Sequence, residues 1–215
     1  MNNKKKYLVL GTLFILPLLA YMFFASGVNN FIKLPRLNDA PVNVNGFQSM
    51  NGDSLRFKGN ISILSFFGRD IDTSKVLAFN LKEKIYDKNK DFNDLQFISF
   101  ISPGHQDEVS SFKYQINKTS DAYKWKFVEL EPDRIKAVFS ALGTDMKLSN
   151  DLSSDHAFIL GKDGYLRGRE NDEDEGIKYA YDMSSIAELD NKMVDDVKVI
   201  LAEYRLALKK NDKYE

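Results

Sequence analysis

The residues able to do chemistry are few, and the densest group is Ser65–Ser74, SFFGRDIDTS. An apolar run ends there in Phe66, Phe67 and Gly68, and Arg69, Asp70, Asp72, Thr73 and Ser74 follow. A polar loop just past a strand end is a common place for functional groups in α/β proteins. This one offers carboxylates, a guanidinium and hydroxyls, but no strong nucleophile. The two histidines, His105 and His156, lie far apart in the chain, and His156 follows Asp155 in SDHAF. None of the 215 residues is cysteine. Disulfides, thiol nucleophiles, Cys-ligated zinc, iron–sulfur clusters and Cu(I)–thiolate centres are therefore excluded. Gly-x-Ser-x-Gly, the P-loop and GxGxxG are also missing, and no paired-carboxylate motif stands out. These counts favour a protein that is not an enzyme and carries no cofactor. Thirty basic residues balance 31 acidic ones. That lacks the basic excess of a general nucleic-acid binder.

Each candidate has two readings. His156 reads as a ligand for a divalent ion together with Asp155, Asp72 or Asp70, or as a polar residue at a strand start with a structural hydrogen bond. The second is preferred, because one histidine is thin for a transition metal. His105 follows Pro103-Gly104 and reads as a surface or capping residue. Arg69, Asp70 and Asp72 could bind a partner or an anion, but pairing and capping of the next helix is the simpler role. The acidic NDEDEG resembles part of a calcium loop. No twelve-residue spacing with a terminal glutamate follows, so it reads as a solvated loop. Trp125 and the many phenylalanines read as core.

These groups must be held by the surrounding elements. The chain opens with Lys4, Lys5 and Lys6 and an uncharged run from Tyr7 to Ala25. As a helix that run spans roughly 28 Å, near the hydrocarbon thickness of a bilayer. Residues 1–26 are expected to be an uncleaved anchor with a cytoplasmic N-terminus and the rest outside; a cleaved signal peptide is the rival. Residues 27–44, with Pro35 and Pro41, read as a linker, and 45–210 as one domain. Phe47–Phe57 is expected to form a hairpin around Asn51-Gly52. ISILSFFG and LQFISFIS read as buried strands and YKWKFVEL as a third. Val76, Leu77, Leu81 and Ile85, then Val109, Phe112 and Ile116, then Ile135, Val138 and Phe139 recur at helical spacing. Asp72 or Thr73 is expected to cap the first of these helices. Ala157–Leu160 and Tyr165–Arg169 read as a hairpin around Asp163-Gly164. A last helix follows a Ser185…Glu188 capping box and carries Ile186, Leu189, Met193, Val197, Ile200, Tyr204 and Leu208 on one face. Alternating β and α with a closing hairpin and helix imply an α/β thioredoxin-like sandwich around a central mixed sheet.

The order and spacing of four stretches resemble the SCO/SenC family: FQSMNGDSLRFKGNISILSFFG, LQFISFISPGHQDEVSSFKYQI, SDHAFILGKDGYLRGR and YDMSSIAELDNKMVDDVKVILAEY. The resemblance covers roughly 45–204. It implies a thioredoxin-like domain held outside the cytoplasmic membrane, in the periplasm, by one N-terminal helix, and a role in cytochrome c oxidase assembly. The family's C-x-x-x-C-P motif would place its first cysteine at Asp72 and its second near Val76. Its metal-binding histidine corresponds to His156. A carboxylate and an isopropyl group are poor ligands for Cu(I), which prefers sulfur, and disulfide exchange needs a thiolate. The resemblance therefore implies an accessory protein acting on a membrane or respiratory-complex partner by contact, through Arg69–Ser74 and Asp155-His156. A weak copper(II) or zinc site at His156 is the alternative. A residual oxidoreductase borrowing its partner's thiols is a third reading.

Overall fold

A computed structural model describes residues 3–25, 33–43 and 46–211. The chain divides into two compact units, Met1–Ile32 and Lys33–Glu215. The first holds α1 (Asn3–Ala25), with Pro17 inside it. Its apolar side chains, such as Leu13, Phe14 and Leu16, are exposed. Lys5–Phe23 is long and apolar enough to cross a membrane, a property shared with signal sequences.

The second unit is built on strands whose sequences carry no polar face. Every residue of β1 (Ile61–Gly68) and β2 (Leu95–Ile101) is buried. Such strands need cover on both sides, which parallel pairing with crossover helices supplies. β1, β2 and β3 (Trp125–Glu129) pair in parallel, and β4 (Ser154–Leu160) runs antiparallel to β1. β5 (Leu166–Arg167) and β8 (Tyr181–Asp182) both pair antiparallel with β4. The sheet order is β3-β2-β1-β4-β5, with β8 on β4. β6 (Arg169–Asp172) and β7 (Gly176–Lys178) form a separate two-stranded ribbon. This is the mixed α/β, thioredoxin-like architecture that the order of elements implies.

The helices divide between the two faces. α2 (Ile71–Leu81) runs through a π-helical turn (Lys82–Tyr86) into α3 (Asp87–Asn89). The last helix repeats the device, with α6 (Ile186–Glu188), a π-helical turn (Leu189–Met193) and α7 (Val194–Asn211). Lys84 in one π turn reaches Asp190 in the other at 3.0 Å. With α4 (Gln106–Thr119) these helices share one core: Leu77, Leu81, Phe112, Ile116, Val197 and Ile200 pack with Ile63 and Phe67 of β1. On the other face, α5 (Pro132–Ser140) sets Ile135, Val138 and Phe139 against Leu64, Phe66 and Phe158, together with Phe47 and Phe57. Phe66 meets Phe139 and Phe158 edge-on, with ring centroids 5.1 and 5.9 Å away. Serines in the buried strands satisfy one another: Ser65 and Ser99 hydroxyls lie 2.7 Å apart, and the Trp125 indole N–H donates to Ser99 at 2.8 Å.

Several local expectations differ from the structure. Asp70, two residues before the expected cap, is the N-cap of α2; its carboxylate accepts from the Thr73 N–H at 3.1 Å. Around Asn51-Gly52 only Gly52 takes positive φ, at +87°. The loop is closed by Gly52 N–H to Ser49 C=O at 2.8 Å, and a single bridge, Gln48 with Ser54, stands where a hairpin is expected. The Ser185 hydroxyl caps Glu188 N–H at 3.2 Å, but the Glu188 carboxylate takes the Asp182 N–H instead of closing the box. The acidic stretch is the turn and flanks of the β6–β7 ribbon, not a plain loop. The side chain of Leu208 lies outside the described residues.

Candidate functional site

The loop after β1 is held by three neighbours. Gly68 ends the strand at φ +54°, and a Cβ there would sit 2.0 Å from the Asp151 carbonyl oxygen. The Arg69 N–H donates to that same oxygen at 2.8 Å, and the Ser102 N–H, just past β2, donates to Gly68 C=O at 2.8 Å. The chain facing Gly68 turns on Leu152, which has φ +63° and is buried. A branched side chain in the left-handed region is a local strain. Only glycine fits at 68, so the loop takes its path from packing against the 149–153 turn.

Within this frame the charges serve the helix. Asp70 caps α2. Asp72, in the first turn, pairs with Lys75 at 2.6 Å while its side chain is 86% exposed. That hydrogen bond and the lysine's charge hold the Asp72 carboxyl below the usual range. Both acids also complement the positive end of the helix dipole. Arg69 is exposed. Val76, one turn into the helix, is 63% exposed.

His156 lies elsewhere. It pairs with Asp182 across β4 and β8. Its position falls on the face of Phe158 and Leu160, the face covered by α5, whereas the Arg69–Ser74 loop leads into α2 on the opposite side. It lines a recess of about 400 Å³ with Asp145, Met146, Glu175, Ile177 and Tyr179. None of Arg69, Asp70 and Asp72 lines that recess. Its backbone N–H donates to the Ser154 hydroxyl at 3.2 Å, but no hydrogen bond engages the imidazole among the described residues. Asp155 is exposed and its carbonyl accepts from Met183 N–H at 2.8 Å. His105 is the N-cap residue of α4, with Nδ1 3.4 Å from Glu108.

Among the described residues no three His, Asp or Glu side chains are grouped to hold a metal ion. The loop positions that the SCO/SenC resemblance assigns to sulfur present an ion-paired carboxylate and a solvent-facing isopropyl group. This donor set does not fit Cu(I). In the acidic ribbon the cation position is filled from within. The Lys192 ammonium lies 2.6 Å from both Asp172 and Asp174, and Lys178, almost fully buried, bridges Glu175 and Glu188 at 2.5 and 2.8 Å. Burial alone would raise the Asp172 carboxyl, but the hydrogen bond and charge of Lys192 prevail and lower it. Arg169, Asp196 and Tyr181 extend the network inward; burial, with Asp196 beside it, pushes the Tyr181 phenol far up.

The sequence reading gave no role to a second recess, beside β3, that holds Lys113. The signal was present: Val109, Phe112 and Ile116 mark the buried stripe of α4, and Lys113 adjoins it at i+4 from Val109.

The frame is thus a thioredoxin-like domain. It is similar to BsSco, a member of the Sco family of cytochrome c oxidase assembly proteins, with 19% identity over 77% of this chain and 92% of that one, at a TM-score of 0.52. A candidate protein disulfide isomerase from Bacteroides thetaiotaomicron shares 10% identity over 80% of this chain and 95% of its own, also at 0.52. A candidate electron transport protein from Aquifex aeolicus VF5 shares 14% over 76% and 98%, at 0.53. At these identities the likeness is one of fold. No family model and no curated protein matches the sequence.

Proposed function

We propose that the chain is a membrane-anchored, extracytoplasmic accessory protein of SCO/SenC type, serving respiratory-complex assembly, most specifically that of cytochrome c oxidase. It acts by protein–protein contact and not through thiols or Cu(I). Residues 1–26 are the anchor; of the expected linker 27–44, residues 33–43 pack onto the domain, with Leu34 and Val42 buried, and 45–210 form the rest of the working domain. One observation carries the reading: the loop after β1 keeps a tightly specified path, with Gly68 clamped against Asp151, while Asp72 and Val76 occupy the positions that the resemblance gives to sulfur. A loop held this closely and stripped of thiols is suited to presenting a shape. The likeness in fold to a Sco-family assembly protein supports the context, and the apolar α1 supports the anchor. Arg69, Asp70 and Asp72 offer one contact surface, with Asp155 on the same side of the sheet by its alternation with Ala157 and Ile159, and His156 a second on the other side. Capture of the anchored protein from detergent-solubilised membranes tests this. Recovery of oxidase subunits is expected, with loss on charge reversal at Arg69; recovery of none would overturn the assembly role.

A second reading, a weak copper(II) or zinc site, has its own motive. The His156 imidazole makes no hydrogen bond among the described residues and shares its recess with Asp145 and Glu175. Titration with either ion, unchanged by His156→Ala, would remove that reading.

A further inference from the structure

We propose that the recess between α4 and the outer edge of β3 is a carboxylate-binding site built on Lys113. β3 is the last strand of the sheet. The Met50 N–H donates to Phe127 C=O at 2.8 Å and pins the Ser49–Gly52 turn over that edge. The turn, α4 and the segment before β3 enclose about 100 Å³. Lys113 enters from α4. Its ammonium lies 5.3 Å from the centre of the Phe127 ring and donates to the Asn51 side-chain oxygen at 3.1 Å. No carboxylate lies within ion-pairing distance of it among the described residues.

Most of the other half-buried or buried lysines do have an acid; Lys90, Lys124 and Lys126 share the lack of one among the described residues, and of these Lys124 donates to the Lys90 and Phe92 carbonyls at 2.5 Å. Lys82 has Asp87, Lys84 has Asp190, Lys162 has Asp94, and Lys178 and Lys192 have two acids each. Burial pushes the Lys113 ammonium below its usual pKa, and no charge offsets the effect. An ammonium has three N–H donors, and one amide oxygen and one aromatic face do not exhaust them. Asn117 also lines the recess; its side-chain oxygen is taken by Ala122 N–H at 2.9 Å, which leaves its amide NH₂ to donate. The Asn51 oxygen is taken by Lys113, so its NH₂ is likewise a donor. Three nitrogen donors and one positive charge therefore face a small volume. The one acid in the lining, Asp121, is exposed and forms no ion pair with Lys113.

The missing partner is an acceptor with a single negative charge. A carboxylate has two oxygens in a plane, suited to one ammonium and flanking amides. The volume suits a carboxylate and its first carbons, and Trp125 and Phe127 give those carbons an aromatic wall. A free small acid and the terminal carboxylate of a peptide present the same chemistry. This site stands apart from the proposed assembly role and survives or fails without it.

Trp125 is the only tryptophan in the chain and lines the recess, so its emission reports occupancy directly. The full chain in non-ionic detergent is titrated at constant ionic strength with sodium acetate, with Gly-Gly-Phe, with the same peptide amidated, and with sodium chloride. A saturable change with acetate identifies a free acid. One with the free peptide, and not its amide, identifies a chain terminus. Lys113→Met should abolish the change. Asn51→Asp should weaken binding about tenfold or more, because it supplies Lys113 with a built-in counter-ion. The second variant keeps the turn, since Asp-Gly suits the same loop. No saturable change with either carboxylate, or a response unaltered in both variants, would overturn the site.

Discussion

The loop after β1 and the recess beside β3 belong to the same domain and treat charge in opposite ways. In the loop each carboxylate is already committed: Asp70 caps α2, and Asp72 pairs with Lys75. In the recess the Lys113 ammonium has an amide oxygen and an aromatic ring but no counter-ion among the described residues. The loop that the SCO/SenC resemblance marks for chemistry thus serves local structure, while the recess, to which the resemblance gives no role, holds an ammonium without a counter-ion among the described residues. Position in a fold does not assign a function; the state of the side chains there does.

Variants can break this contrast. The largest effect is expected at Gly68→Ala, which sets a methyl group against the Asp151 backbone at positive φ. It should cost more than about 4 kcal/mol in chemical denaturation, or abolish folding. A mild loss would mean that the 149–153 turn yields and that the loop is not clamped. Next comes Lys192→Met, in the π-helical turn that sets its ammonium against the ribbon. The folded-state pKa of Asp172 is lowered, so its contribution is present above its unfolded value, near 3.9, and is lost as pH falls through the folded value. Thermal melts should show the variant about 5 °C below the parent at neutral pH, with the gap closing at pH 3. A gap that persists in acid would point to packing instead of charge.

Smaller effects sharpen the comparison itself. Asp70→Ala removes the cap of α2 and should cost about 1 kcal/mol. Lys113→Met keeps the aliphatic stem and removes an uncompensated ammonium, so its melting temperature should equal or slightly exceed the parent's. A drop of several degrees would show that the ammonium is structurally satisfied. Asp72→Asn should leave the melting temperature unchanged within error, because an exposed ion pair contributes little.

Much of the fold was legible in the residues because its strands and helices follow simple periods. β1 and β2 are continuous apolar runs, buried on both faces, and the Leu77, Phe112 and Ile135 helices carry clear stripes. The loop around Asp70 was legible as a position. The cap itself was displaced by two residues, because α2 begins straight after the clamp at Gly68. Which of Asp155 and His156 falls on the side of that loop was not legible. It depends on which face of β4 each side chain takes as the strand passes from β1 to β8, and no local pattern encodes that. The acidic stretch misread as a plain loop pairs because Lys192 and Lys178, one of them distant in sequence, neutralise it. The Lys113 recess is assembled from α4, β3 and the turn at Asn51, three segments whose meeting only the fold determines.

The central claim is that the loop after β1 works through its surface and holds no cuprous ion. Competition for Cu(I) between the full, detergent-solubilised chain and a chromophoric chelator tests it most directly. The account predicts that the chelator keeps its metal at every protein concentration. Withdrawal of one equivalent with sub-micromolar affinity would contradict it.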